Sequence, residues 1–237
     1  MLNIFFICSR HMSPGADKAC VHNEAKGMIV FMARCVIFCA GEQGDIDFAL
    51  HADDYIVCCD AGYEAAVKMG VVPHLILGDF DSYQQPLSTS IETLRFPVQK
   101  DDTDSMLAVR EGISRGFTEF VLLFSLGNRL DHTLANIQVL AYLEENEAVG
   151  ILVGPYETVR LLKGGEITLP KREGYSLSIL ALDKVVGINL EGVAYPLFNA
   201  TLTPSFPLGF GNHIEADFAT IRVEEGRVLI IESKIER

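Results

Sequence analysis

Between Cys35 and about Pro155 short, mostly apolar runs alternate with segments of helical period, and after residue 157 the helical period stops. Runs rich in Val, Ile and Phe fall at 36–40, 55–59, 75–77, 93–96, 120–124 and 151–153. Strands this short and this apolar need cover on both faces. Helical segments lie between them at 61–69, 102–115 and 131–145, with expected buried stripes of Met106, Val109 and Ile113 in the second and Leu134, Ile137 and Ala141 in the third. Strands alternating with helices predict an α/β fold, a mostly parallel sheet flanked by helices. Seven strand-like runs follow, at 158–162, 166–169, 175–182, 185–191, 195–203, 216–223 and 228–232, most separated by Gly, Pro or Asn. They predict a small antiparallel β-sandwich. The expected organisation is an α/β domain over 32–157 and a β-sandwich domain over 158–237. Residues 1–31 show no sustained periodicity and no signal-peptide pattern, and read as a disordered leader or a misassigned start.

Charge narrows the function. With 19 Lys and Arg against 32 Asp and Glu the net charge is −13, and no basic run occurs. Nucleic acid is therefore not an expected partner. Residues 28–40 are too short to span a membrane and Arg34 interrupts them, so no membrane association is expected. All six cysteines lie in the first 59 residues, four of them inside apolar runs, with no paired CxxC. They read as buried free thiols, which implies a reducing, cytoplasmic setting.

Three acidic motifs follow strands or open helices. Gly78-Asp79-Phe80-Asp81-Ser82 directly follows the run at 75–77; aspartates at i and i+2 of an extended segment point to one side, toward the crevice beyond the strand ends. Lys100-Asp101-Asp102-Thr103-Asp104 precedes the second helix and carries more carboxylates than a cap requires. Gly127-Asn128-Arg129-Leu130-Asp131-His132 opens the third helix and offers backbone N–H groups and a guanidinium fork to phosphate. Capping alone explains a single Asp or Thr, and solvated His132 has no His or Cys partner at ligand spacing. A parallel sheet gathers all three motifs at one edge, where Asp79, Asp81, Asp101, Asp104 and Asp131 converge. Two such charges about 4 Å apart repel by roughly 4 kcal/mol at an effective dielectric of 20, so cations or protons must accompany them. Oxygen-only donors favour Mg²⁺ or Ca²⁺ over zinc, and with Lys100 and Arg129 nearby a polyphosphate–Mg²⁺ ligand is expected. No Walker-type GxxxxGK[ST] occurs.

In this order GDFDS, KDDTDS and GNRLDHTLANI resemble the motifs of the thiamine pyrophosphokinase family, and Cys59-Asp60-Ala61-Gly62 resembles its Asp-Gly-Gly turn. Residues 192–203 and 208–214 resemble its thiamine-binding β domain. The resemblance covers about 35–233. It implies transfer of diphosphate from ATP to the hydroxyl of thiamine, releasing AMP. It further implies Mg²⁺ held by Asp79, Asp81 and Asp104; ATP contacts from Asp60, Gly62, Lys100, Asp101, Thr103, Gly127, Asn128, Arg129 and His132; and a role for Arg129 and Asp131 around the transferring group. Gly211 and Asn212 stand at the thiamine-pocket motif, and a homodimer with sites between subunits is implied. The chain departs from the pattern at Gly41-Glu42, where Gly-Gly is usual, at Ala61, and at Gly211, where the family has Ser. With no Trp present, stacking on thiamine falls to Phe or Tyr such as Tyr195, Phe206 or Phe210. A diphosphotransferase for another alcohol such as a hydroxymethyl pterin, a non-catalytic binder, and a metal-dependent phosphohydrolase are the competing readings.

Overall fold

The computed structural model describes residues 33–78, 91–96 and 102–236. The leader, Asp79, Asp81, Lys100 and Asp101 lie outside the described residues. Strands β1 (Cys35–Phe38), β2 (Tyr55–Cys59), β3 (Leu75–Gly78), β4 (Glu92–Arg95), β5 (Glu119–Leu123) and β6 (Val149–Val153) pair in parallel in the order β6-β5-β1-β2-β3-β4. Alternate side chains feed two cores, as apolarity on both faces demands. Cys35, Ile37, Val57 and Leu122 meet helices α2 (Asp104–Ser114) and α3 (Leu130–Glu145). On the opposite face Val36, Phe38, Ile56 and Cys58 meet helix α1 (Gly62–Lys68) and the segment carrying Ile46, Phe48 and Leu50. Cys35, Cys39, Cys58 and Cys59 are free and buried, as expected. Burial pushes the Cys35 thiol up to about 12, which leaves it protonated and unreactive.

The α2 stripe holds: Val109 is buried and Met106 and Ile113 pack partly buried beside it. The α3 stripe holds only in part: Ile137 packs partly buried against the core. Leu134 is 52% exposed, and the inward face is Asn136, Val139, Leu140 and Leu143. That face has the same spacing but begins at a polar residue, which apolarity counting rejects. Asn136 is tolerated inside because its amide is fully engaged, as described below.

Beyond residue 157 there are six strands rather than seven: β7 (Glu157–Pro170), β8 (Tyr175–Ala181), β9 (Val185–Glu191), β10 (Leu197–Leu202), β11 (Gly209–Asn212) and β12 (Phe218–Lys234). Two expected pairs of strands are each one long strand, and β11 was not anticipated. The register of β7 and β12 shifts between Val223 and Arg227, so Gly164-Gly165 and Gly226 punctuate a bulge rather than a turn. Strand β7 pairs antiparallel with β6, Ile151 facing Arg160, which carries the sheet across the 157 junction without a gap. The far edge of β12 forks: Thr220–Glu225 bonds to β9 and Val228–Lys234 to β8. The two arms enclose Leu177, Ile179, Ile188, Leu190, Val223 and Ile230, and this is how one sheet becomes the sandwich.

Charged groups brace the junction. Arg160 on β7, 5% exposed, pairs with Glu232 on β12, 4% exposed, at 2.7 Å. Thr158 Oγ1 donates to the same carboxylate at 3.3 Å. Arg172 lies 3.8 Å from Glu232 and donates to Asp47 at 3.1 Å, linking the β7–β8 turn to the β1–β2 segment. Among the described residues no helix is long and apolar enough to cross a membrane.

Candidate active site

The sheet order reverses between β1 and β5, and there the connections leave toward opposite faces, which opens a crevice beyond the strand ends. Backbone bonds set its floor: Cys39 N–H to Leu123 O at 2.9 Å, Gly41 N–H to Phe124 O at 2.7 Å and Glu42 N–H to Leu126 O at 3.0 Å. Asp60 follows β2, has φ 22°, and donates its N–H to Leu77 O at 2.9 Å. Gly62 is buried against β1, where a Cβ would stand 2.0 Å from the Phe38 carbonyl oxygen. Gly62→Ala must therefore push the Asp60 turn off the sheet. We expect a loss of about 3 kcal/mol in chemical denaturation, with weakened nucleotide affinity in the molecules that fold. Gly78, the last residue of β3, abuts that turn: a Cβ there would stand 3.0 Å from the Asp60 Cβ.

Thr103 caps α2, accepting from Met106 N–H at 3.3 Å, and Asp104 is the first helical residue. The Cys59 thiol is pushed up by its hydrogen bond with Cys39 and by burial, with a smaller contribution from the Asp104 carboxylate. Gly127 (φ 80°) and Asn128 (φ 55°) turn the chain into α3, and a Cβ on Gly127 would meet Glu42 Oε2 at 2.3 Å. Arg129, the α3 N-cap, grips Asp131 with Nε–Oδ1 at 3.1 Å and Nη2–Oδ2 at 2.5 Å. His132 is exposed and donates its backbone N–H to Asp131 at 3.0 Å. The Arg129 hydrogen bond, with smaller help from His132, holds the Asp131 carboxyl below its ordinary range. A depressed carboxyl gives an interaction present above the ordinary Asp pKa and lost as pH falls through the folded value. Carbon-detected NMR titration is expected to show Asp131 ionising below a typical Asp, with Arg129→Gln moving it back up.

Thus Asp60, Gly62, Thr103, Asp104, Gly127, Asn128, Arg129, Asp131 and His132 all stand on loops or helix starts at the carboxyl edge. Asn212 and Gly211 stand apart, on β11. The Asn212 side chain is buried and engaged with backbone: Oδ1 accepts from Tyr195 N–H at 3.0 Å and His213 N–H at 2.9 Å, and Nδ2 donates to Tyr195 O at 2.8 Å. It sets the path of the Tyr195 segment. Gly211 is exposed and donates its N–H to Ser178 Oγ at 3.2 Å. Tyr195, Phe198, Phe206 and Phe210 are exposed nearby in the sequence, at 68, 70, 64 and 49%.

His51, Asp53 and Asp54 form a compact ligand-type cluster, but they precede β2 and so lie at the opposite, amino edge of the sheet. Asp54 is held there by Arg34, whose Nε and Nη2 each donate to it at 2.8 Å, a structural role. Sequence reasoning passed over Ser105, Ser125 and Asn136. Ser105 and Asn136 sit within the quoted motifs, and their signal was polarity at positions a helix turns inward.

An open parallel sheet whose carboxyl edge gathers tight glycine turns, helix starts, an arginine and carboxylates defines an α/β enzyme that handles phosphate. Residues 47–152 match the family described as thiamin pyrophosphokinase, catalytic domain, and residues 166–228 match thiamin pyrophosphokinase, vitamin B1 binding domain. The chain belongs to the thiamine pyrophosphokinase family. It is 26% identical over 182 residues to thiamine pyrophosphokinase of Bacillus subtilis (strain 168), covering 73% of this chain and 85% of that protein. Its fold is similar to the crystal structure of Bacillus subtilis thiamine pyrophosphokinase (TM-score 0.77, 21% identity, 86% of this chain and 99% of that one). It is also similar to thiamin pyrophosphokinase from Geobacillus thermodenitrificans (0.74, 22%, 86% and 98%). The likeness extends to thiamin pyrophosphokinase from Candida albicans (0.66, 15%, 85% and 89%).

Proposed function

We propose that this chain transfers the diphosphate of ATP to the hydroxyl of thiamine, giving thiamine diphosphate and AMP. The observation that carries the reading is the tandem match, a catalytic region on the parallel sheet followed by a vitamin B1 binding region on the forked sheet. Residues 32–157 form the ATP-handling part and 158–237 the thiamine-binding part.

The donor set suits magnesium: oxygen ligands only, one of them Asp104 on the first turn of a helix at the carboxyl edge. Asp79, Asp81 and Asp104 would hold the ion, which when bound neutralises charge on the phosphate oxygens. Asp60, Gly62, Lys100, Asp101, Thr103, Gly127, Asn128 and His132 line the nucleotide and keep its β-phosphorus aligned with the acceptor. The thiamine oxygen bonds to the β-phosphorus as the bond to the α-phosphate oxygen breaks, and AMP leaves. While paired with Arg129, Asp131 is a weak base. Transfer of Arg129 to a phosphate oxygen removes the group that depresses it and gives the hydroxyl proton an acceptor. Exposed Tyr195, Phe198, Phe206 and Phe210 suit stacking on thiamine and burial in a homodimer whose sites lie between subunits. Buried free thiols suit a cytoplasmic protein.

The test incubates purified protein with ATP, Mg²⁺ and thiamine, beside Asp81→Asn, and reads products by mass spectrometry. Equal AMP and thiamine diphosphate from wild type alone supports the reading. ATP consumed without thiamine diphosphate would overturn the acceptor, and no turnover by folded protein would overturn the activity.

A further inference from the structure

We propose that Ser105 and Asn136 are positioning residues that hold the cation-facing start of α2 in register with the glycine loop before α3; the proposal rests on the diphosphotransfer reading above. Ser105 Oγ donates to Asn136 Oδ1 at 2.6 Å, and Asn136 Nδ2 donates to the Ser125 carbonyl at 2.6 Å. Ser125 Oγ in turn donates to Leu122 O at 2.8 Å, which anchors the path on the carboxyl end of β5. Ser105, Ser125 and Asn136 are 8, 3 and 7% exposed, so water does not compete for these bonds.

Proton counting gives the path a direction. A serine has one hydroxyl proton, and a carbonyl-type amide oxygen can only accept. The Ser105 proton therefore goes to Asn136, and in the 3.1 Å contact between Thr103 Oγ1 and Ser105 Oγ the Thr103 hydroxyl is the donor. Thr103 Oγ1 also accepts from Met106 N–H. Its proton points inward, so toward the crevice it offers a lone pair and not a hydrogen bond. Within this site that suits a cation or its water, so Thr103 meets the nucleotide through the cation and not through a bare phosphate oxygen. Capping α2 needs Thr103 alone. Extending the path through Ser105 and Asn136 to Ser125, two residues before Gly127, ties two loops that bracket one polyphosphate, where a small displacement costs catalysis heavily.

The experiment compares Ser105→Ala, Asn136→Ala and the double variant with wild type. Its readings are MgATP affinity by calorimetry without thiamine, KM for MgATP and for thiamine, and Tm. Positioning predicts MgATP binding weakened about 10- to 100-fold in either single variant, thiamine KM unchanged, and the double variant no worse than the worse single. The proposal is overturned if Tm falls while MgATP affinity of the folded protein stays within about twofold, or if both substrates weaken alike. Should Asn136→Ala fail to fold, Ser105→Ala decides by the same readings. A wild type that binds MgATP but makes no thiamine diphosphate sinks the functional reading while calorimetry still judges positioning. A wild type that does not bind MgATP sinks both.

Discussion

Asp104→Asn is expected to lower kcat/KM about 100- to 1,000-fold while leaving the protein folded. Asparagine keeps the volume and the helix start and removes only the anionic oxygen. What α2 loses is a favourable charge on its first turn, worth about 0.3–1 kcal/mol. What the reaction loses is charge stabilisation around the transferring phosphate, worth about 3–4 kcal/mol for comparable groups. The second exceeds the first severalfold, so Tm and activity should separate. Steady-state rates over a magnesium series, beside a thermal melt, check this: the magnesium needed for half-maximal rate rises while Tm moves by only a few degrees. A loss of activity that tracks a loss of Tm would place Asp104 in the scaffold and not at the metal.

Glu232→Ala should produce the largest stability effect. It strands Arg160, 5% exposed between β6 and β12, without its 2.7 Å partner, and removes an acceptor from Thr158. Breaking a buried pair from one side costs about 3–5 kcal/mol, since a charge is left uncompensated. For a chain of this size that is on the order of 10 °C in Tm. Replacing both partners, Arg160→Met with Glu232→Leu, should recover most of the loss, because the charges and their desolvation vanish together. Calorimetric melts of wild type and the two variants decide it. If the double variant is as unstable as the single, the pair itself stabilises the junction and the desolvation argument fails. The cluster lies at the junction with the antiparallel strands, so turnover per folded molecule should remain near wild type.

The parallel sheet was legible because its inner strands β1, β2, β3 and β5 are apolar runs buried on both faces, whereas the edge strand β4, ETLR, is partly exposed and carries a weaker pattern. The place of the described candidates Asp60, Thr103, Asp104, Gly127 and Asp131 was legible for the same reason: motifs placed after strands and before helices collect at one edge. Three things were not. Gly164-Gly165 and Gly226 look like turns, yet long-range pairing of β7 with β12 carries both strands through them, and pairing is invisible to a local pattern. Asn136 faces the core because a partner 31 residues away accommodates it, whereas Leu134 is left in solvent. The Asn212 amide is taken up by the Tyr195 backbone, a contact across 17 residues that motif resemblance does not reveal.

The measurement that tests the central claim most directly follows radiolabel from ATP into thiamine, in parallel reactions labelled at the β- and at the γ-phosphorus. Transfer of an intact diphosphate predicts that both labels enter thiamine diphosphate in equal amounts, with unlabelled AMP as the other product. Label entering from the γ-position alone, with ADP released, would mean single phosphoryl transfer and contradict the account.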